Sequence, residues 1–345
     1  MKALVLTEYK RLEYMDVPDP AVKPDEVLLR VKACAICGSD VHGYDGSSGR
    51  RIPPVIMGHE AAGVIVEAGA DVKRFAAGDR VTFDSTLYCR ECGPCRSGLI
   101  NLCENRRVFG VSCGDYTKDG AMAEYIAVPE YILYRLPDSV SFETASVIEP
   151  LAIAMHAVNR AGLRAGDDVI VAGCGTIGQL IIRILRNMCC GSVTALDIDG
   201  LKLRMAADSG ADHVINPAEE DVARRVAELT RGEGMAAAIE AVGVSETVGY
   251  AIDSLKKGGK LTLVGNIQQK IDFPLQRVVT SEISVNASCA SAGEYADCLK
   301  LMEKGKIDLN GIISKIVPLS EGADWFAKLY EGYPGIIKIV LSTGE

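Results

Sequence analysis

Within residues 27–33 the apolar positions 27, 29, 31 and 33 frame the basic Arg30 and Lys32. That alternation has the two-residue period of a half-buried strand. Shorter runs of the same kind occupy residues 61–68, 80–83 and 122–128, separated by frequent glycine and proline. The first 150 residues thus predict a barrel-like or irregular β domain. Beyond residue 165 the pattern changes to strands alternating with stretches of helical period. Strands are predicted at 168–172, 193–196, 213–215, 236–241 and 260–264. Helices are predicted at 177–188, near 202–209 up to Gly210, around 221–230, and near 245–255 up to Gly258-Gly259. Such βαβ alternation implies a parallel, doubly wound sheet with right-handed crossovers. The last sixty residues add strands at 283–287 and 336–341 and helices near 294–303 and 322–330. They either extend that sheet or return to the first domain.

At 345 residues the chain exceeds what one hydrophobic core usually serves, so two domains are expected. A net charge of −9 argues against nucleic acid or an anionic membrane as the main partner. The basic pairs Arg50-Arg51 and Arg106-Arg107 read as solvated loop charges. Residues 1–8 become acidic too early for a signal peptide, and no apolar run approaches the length of a membrane span. The expected compartment is a reducing cytoplasm, where clustered thiols mean metal more often than disulfide. The adjacent Cys189 and Cys190 read as small buried hydrophobes closing a helix.

Cys89, Cys92, Cys95 and Cys103 are separated by gaps of two, two and seven residues. Short Cys-x2-Cys steps gather thiolates in tight turns, and a fourth thiolate closes a tetrahedral cage that suits zinc. Gly93, Pro94, Ser97 and Gly98 supply the turn residues. With four thiolates the cage has no open position, so its role is structural.

Gly173-Cys174-Gly175-Thr176-Ile177-Gly178 follows one predicted strand and opens a helix, the context in which this glycine pattern binds a dinucleotide. Gly173 serves the tight turn, Gly175 the approach of backbone to pyrophosphate, and Gly178 close packing of helix on strand. The helix N-terminus, with Thr176 and Ile177, offers free N–H groups to phosphate. Nineteen residues after Gly178, Asp197 stands where a carboxylate accepts the ribose diol and repels a 2′-phosphate, which favours NAD over NADP. Lys202 is a further candidate for a ribose contact.

Cys37-Gly38-Ser39-Asp40, His42, Gly58-His59-Glu60 and Glu149-Pro150-Leu151 lie far apart, and each by itself has a structural reading. Taken together, in this order and with the cysteine cluster and glycine loop, the sequence resembles the zinc-dependent medium-chain alcohol and polyol dehydrogenases. The match spans nearly the whole chain and is nearest the sorbitol (L-iditol) and galactitol-1-phosphate dehydrogenase branch.

The resemblance implies a Rossmann doubly wound parallel sheet inserted in a GroES-like β-barrel domain. The first domain would span 1–150 with its zinc lobe at about 89–103, the NAD-binding domain 151–285, and the return 286–345. It implies two zinc ions, NAD, and a homodimer or homotetramer. Residues matching Cys37 and His59 ligate the catalytic zinc in the interdomain cleft of that family. Glu60 and Glu149 are candidate further ligands, Glu149 binding directly or through the zinc water. Ser39 is the candidate proton relay and His42 its outer member. The backbone at Val242 and Val264 is implied to line the nicotinamide. The implied reaction is hydride transfer between NAD and a polyol, sugar or secondary alcohol. Members resembling sorbitol dehydrogenase usually carry an Arg-Tyr pair after the strand corresponding to 283–287, where this chain reads Ser288-Cys289-Ala290-Ser291, so sorbitol itself is disfavoured. A threonine-type amino-alcohol dehydrogenase, whose branch carries Asp-Pro in place of Glu149-Pro150, and a non-catalytic zinc- and nucleotide-binding module are the competing readings.

Overall fold

The computed structural model describes residues 1–188 and 190–344. Its contacts divide the chain into two compact units. One holds Met1–Glu149, Tyr295–Lys304 and the residues from Leu309 onward; the other holds Pro150–Glu294 and Gly305–Asp308.

The first unit is built around strand Glu26–Ala35, which pairs antiparallel with three others: Glu60–Ala68, Tyr125–Pro129 and Lys338–Ser342. The seven-stranded sheet continues through Arg80–Phe83 to Leu133–Arg135 at one end. At the other end Ile313–Pro318 lies parallel to Lys338–Ser342. Leu29, Val31, Ile65, Phe83, Ile339 and Leu341 from these strands are buried in one core with Trp325 and Phe326 of helix Gly322–Tyr330. Within it Phe83 and Phe109 meet edge to face at 5.3 Å, the arrangement that aromatic quadrupoles favour.

The second unit is a six-stranded parallel sheet. Its order is His213–Ile215, Val193–Leu196, Val169–Ala172, Met235–Glu240, Leu255–Leu263, Ser284–Ala287. The strand order reverses at Val169–Ala172, which creates the crevice where doubly wound sheets bind ligands. Val169–Ala172 and Met235–Glu240 are buried throughout, as expected of strands covered by helices on both faces.

Several elements differ from the sequence reading. Gly258-Gly259 does not separate a helix from a strand: strand Leu255–Leu263 runs through both. A register shift in its pairing with Met235–Glu240 absorbs the irregularity, and Gly258 takes φ +72°. The strand expected at 122–128 begins at Tyr125, because the Met122 backbone instead bonds Met57 and Leu4. The hairpin Lys2–Glu8/Arg11–Asp16 and the strand Ile313–Pro318 had no signal strong enough to read. Arg51 is not a solvated charge: it is 3% exposed. Cys190 is only half-buried, its thiol donating to the Leu185 carbonyl at 3.2 Å; Cys189 lies outside the described residues. Among the described residues no helix is long and apolar enough to cross a membrane.

Candidate active site

Cys37 ends the loop after strand Glu26–Ala35 and caps the short helix Gly38–Gly43. Its sulfur accepts from the Ser39 backbone N–H at 3.5 Å and from the Ser39 hydroxyl at 3.2 Å. Asp40 completes a capping box, its Oδ2 accepting the Cys37 N–H at 3.3 Å. The other oxygen of Asp40 accepts from Arg51 Nη2 at 2.7 Å and Nε at 3.2 Å. It also lies 3.4 Å from His59 Nδ1, which makes no hydrogen bond among the described residues. Burial pushes the Asp40 carboxyl upward, but His59 and Arg51 outweigh it and hold the group well below its usual range. Burial opposes charge on His59, and Asp40 and Cys37 together raise its pKa.

His59 is placed by Gly58, whose φ of +95° favours glycine. A Cβ there would sit 2.6 Å from Met122 Cγ and 2.8 Å from Cys34 Sγ. Glu60 begins the adjoining strand, fully buried. Its two oxygens accept from Lys338 Nζ at 3.0 and 2.8 Å, and the same ammonium donates to the Ile36 carbonyl at 3.2 Å. Burial opposes the Lys338 charge, but the Glu60 carboxylate holds its pKa up. The ligand atoms of Cys37, His59 and Glu60 lie within 4.8 Å of one another. Glu149, second residue of helix Ile148–Ala161, is not in that group. Its Oε1 accepts from Ser85 at 3.3 Å, while Oε2 is buried with no hydrogen-bond partner among the described residues. Burial, with Glu60 and Asp84 adding to it, raises its carboxyl to about 7. A thiol, an imidazole and a carboxylate in one cluster suit zinc, and the unpartnered Glu149 oxygen fits a site with room for one more donor interaction. His42 shares the Ser39 helix, is exposed, and lies outside the cluster.

The sulfurs of Cys89, Cys92, Cys95 and Cys103 also lie within 4.8 Å of one another. Backbone N–H groups point at them: Cys92 to Cys89 at 3.3 Å and Cys89 to Cys103 at 3.2 Å. The amides of Glu91 and Cys92 hold the Cys89 thiol down at about 6. Inward-turned amides of this kind favour thiolate, the form that binds metal.

In the second unit the glycine loop follows Val169–Ala172 and leads into helix Thr176–Arg186. A Cβ on Gly178 would lie 1.9 Å from the Gly173 carbonyl oxygen, so helix and loop touch backbone to backbone. Around Gly175 a Cβ would meet nothing within 4 Å, which leaves space for a ligand. Asp197 accepts the Cys174 N–H at 2.7 Å and the Asp199 N–H at 2.9 Å, joining the loop to the end of the neighbouring strand. Lys202 Nζ stands 4.0 Å from Asp199.

Residues 23–138 match the alcohol dehydrogenase GroES-like domain and residues 176–304 the zinc-binding dehydrogenase domain. D-arabitol-phosphate dehydrogenase of Enterococcus avium is 32% identical over 97% of this chain and 95% of its own length. D-xylulose reductase A of Aspergillus niger is 32% identical over 96% of this chain and 94% of its own. The solved zinc-binding dehydrogenase of Sinorhizobium meliloti 1021 bound to NADP is 30% identical, with a TM-score of 0.92, over 99% and 98% of the two chains. The chain belongs to the zinc-binding alcohol dehydrogenase family. The dehydrogenase thus combines a GroES-like domain with a Rossmann sheet, and its family uses zinc and a nicotinamide dinucleotide.

Sequence reasoning missed three groups of this dehydrogenase's cluster. Arg51 was masked by its loop composition. Asp40 was quoted only as part of a motif. Lys338 had a usable signal, a lone lysine inside the apolar run 336–341, which is anomalous for a buried strand. Removing one partner of a buried ion pair costs about 3–5 kcal/mol. Lys338→Met in chelator-treated dehydrogenase should lose stability on that scale, read by urea denaturation. Adding Glu60→Gln should recover much of it.

Proposed function

We propose that this chain interconverts a polyol and its ketose, using NAD and a zinc ion held by Cys37, His59 and a glutamate. The observation that carries the reading is the Ser39 hydroxyl, 3.2 Å from the sulfur of Cys37, in the cluster that also holds His59 and Glu60. A structural metal site has no need of such a hydroxyl. A zinc ion held there would supply Lewis acidity, which makes a substrate hydroxyl easier to deprotonate, and NAD bound at the glycine loop would be the hydride acceptor. Ser39 takes the departing proton on its oxygen and releases its own. His42, three residues further along the same helix, lies on the same face and passes that proton outward. Asp40 holds His59 beside the cluster. Glu149 keeps a buried acceptor oxygen available, as a third ligand or as an acceptor for water.

The lobe of Cys89, Cys92, Cys95 and Cys103 is assigned a second, structural zinc. Gly173, Gly175, Thr176, Ile177 and Gly178 receive the pyrophosphate, Asp197 the adenosine ribose with Lys202 beside it, and the loops at Val242 and Val264 the nicotinamide. Ser288-Cys289, in place of an Arg-Tyr pair, argues for a substrate other than sorbitol. The thiol-rich lobe suits a cytoplasmic setting.

A homodimer or homotetramer is the proposed assembly. Strand Ser284–Ala287 ends the parallel sheet, with one edge unpaired among the described residues. On helix Leu275–Thr280, just before it in the chain, Leu275 and Val279 are 64% and 65% exposed. An open strand edge and exposed apolar side chains suit a second copy of the chain.

Cys37→Ala should hold one zinc where the unmodified enzyme holds two, and should lose NAD reduction with polyols while circular dichroism stays unchanged. Retained turnover would refute the site. Hydrogen bonds to charged groups are worth about 1.5–3 kcal/mol. Asp197→Ala should therefore lower kcat/KM for NAD roughly tenfold or more and leave NADP nearly unaffected; an unchanged preference counts against the ribose role. Leu275→Asp with Val279→Asp should dissociate the assembly in light scattering, and an unaltered mass would rule out this face.

A further inference from the structure

Glu240 is the last residue of strand Met235–Glu240 and is completely buried. Among the described residues no ion pair compensates its charge. One oxygen, Oε1, accepts three donors: the backbone N–H of Val242 at 2.9 Å, that of Gly243 at 2.8 Å, and the Thr247 hydroxyl at 2.7 Å. Its other oxygen has no hydrogen-bond partner among the described residues. The main-chain carbonyl of the same residue accepts the N–H groups of Val264 at 2.8 Å and Gly265 at 3.1 Å. One residue thus grips the loops that follow two neighbouring strands, by its side chain on one side and its backbone on the other.

The two loops are also joined directly. Ile267 and Gln268 donate to the carbonyls of Val242 and Gly243 at 3.3 and 3.0 Å. A Cβ on Gly265 would lie 2.1 Å from the Val242 carbonyl carbon, so there is no slack between them. Val242 in turn meets the dinucleotide loop, since a Cβ on Gly173 would lie 2.3 Å from Val242 Cγ2. Three loops at the carboxyl ends of adjacent strands form one rigid corner. Its shape depends on where Val242 and Gly243 are held.

A fully buried carboxylate with no cation beside it is costly. Hydrogen bonds to a charged acceptor are about twice as strong as neutral ones, and here all three are spent on a single turn. We propose that Glu240 is a positioning residue for the nicotinamide half of the cofactor: its carboxylate fixes the Val242–Gly243 turn, and through it the loop at Val264–Gly265. Preorganised backbone of this kind lowers the ordering cost of binding. On that reading the adenosine half rests on Gly175, Asp197 and the first turn of helix Thr176–Arg186, to which the Glu240 side chain makes no hydrogen bond among the described residues. The inference rests on the reading of this chain as a nicotinamide-dependent enzyme.

The test compares two ligands, NADH (and NADPH in parallel) and AMP, which lacks the nicotinamide half, by titration against zinc-loaded enzyme. Wild-type enzyme that binds neither dinucleotide would overturn the functional reading itself. Given wild-type binding, Glu240→Leu should weaken the dinucleotide at least tenfold and AMP less than twofold. Glu240→Gln, which keeps an acceptor oxygen in place, should stay within threefold of wild type for both. In steady state the Leu variant should show its loss in KM for the dinucleotide more than in kcat. Equal weakening of both ligands, an unaffected dinucleotide, or a Gln variant as poor as Leu would each overturn the proposal. Should Glu240→Leu fail to fold, Thr247→Val, which deletes one of the three donors, replaces it. Selective loss of dinucleotide affinity then supports the role, and loss for both ligands or for neither overturns it.

Discussion

The buried carboxylate of Asp40 organises the cluster of Cys37, His59 and Glu60 in the first unit. It accepts the backbone N–H of Cys37, is doubly bonded to Arg51, and stands against His59. An isolated carboxylate in that position would cost several kcal/mol; the Arg51 guanidinium and the His59 imidazole, on separate segments, make it tolerable. The same partners bring three stretches of chain together. The cap turn fixes the thiol, the guanidinium ties down the following loop, and the imidazole is turned by a negative charge. A histidine oriented by a carboxylate behind it is the usual support of a zinc ligand.

A second buried ion pair carries the constraint to the far end of the sequence. Lys338 lies on the strand that pairs with Glu26–Ala35, and both oxygens of Glu60 bond to its ammonium. The C-terminal strand is therefore part of the site that the first sixty residues begin. Glu60 is held by a cation while its carboxylate lies within 4.8 Å of the ligand atoms of Cys37 and His59, so a metal bound by those residues would compete with the lysine for the same carboxylate. Glu149, with one oxygen lightly held and the other unpartnered, faces no such competition. This contrast gives the two glutamates different chemistry, although the sequence presents them alike.

The second unit follows a different logic. Its loops are set by backbone contacts at Gly173, Gly178 and Gly265 and by two carboxylates, Asp197 and Glu240, that accept main-chain N–H groups. Asp197 was legible because its distance from the glycine loop follows from the length of one helix and one strand. Glu240 was not, because its partners are backbone amides that carry no residue identity. The strand through Gly258-Gly259 was misread for a related reason. Paired glycines usually end an element, and only pairing with Met235–Glu240 shows that a register shift accommodates them.

What the sequence by itself determined was local: the period of its strands, the thiol spacing of the lobe, and the glycine loop with Asp197 one βαβ unit away. Each depends on residues a turn, or one helix, apart, so one dimension is enough to display it. The order of motifs also identified the family, since order is itself one-dimensional. Tertiary structure alone decided that Arg51 is buried, that Glu60 answers to Lys338, and that one oxygen of Glu149 has no partner among the described residues. Those depend on which charges meet after folding, and a charge in a sequence carries no mark of whether its partner is water or a residue 278 positions away.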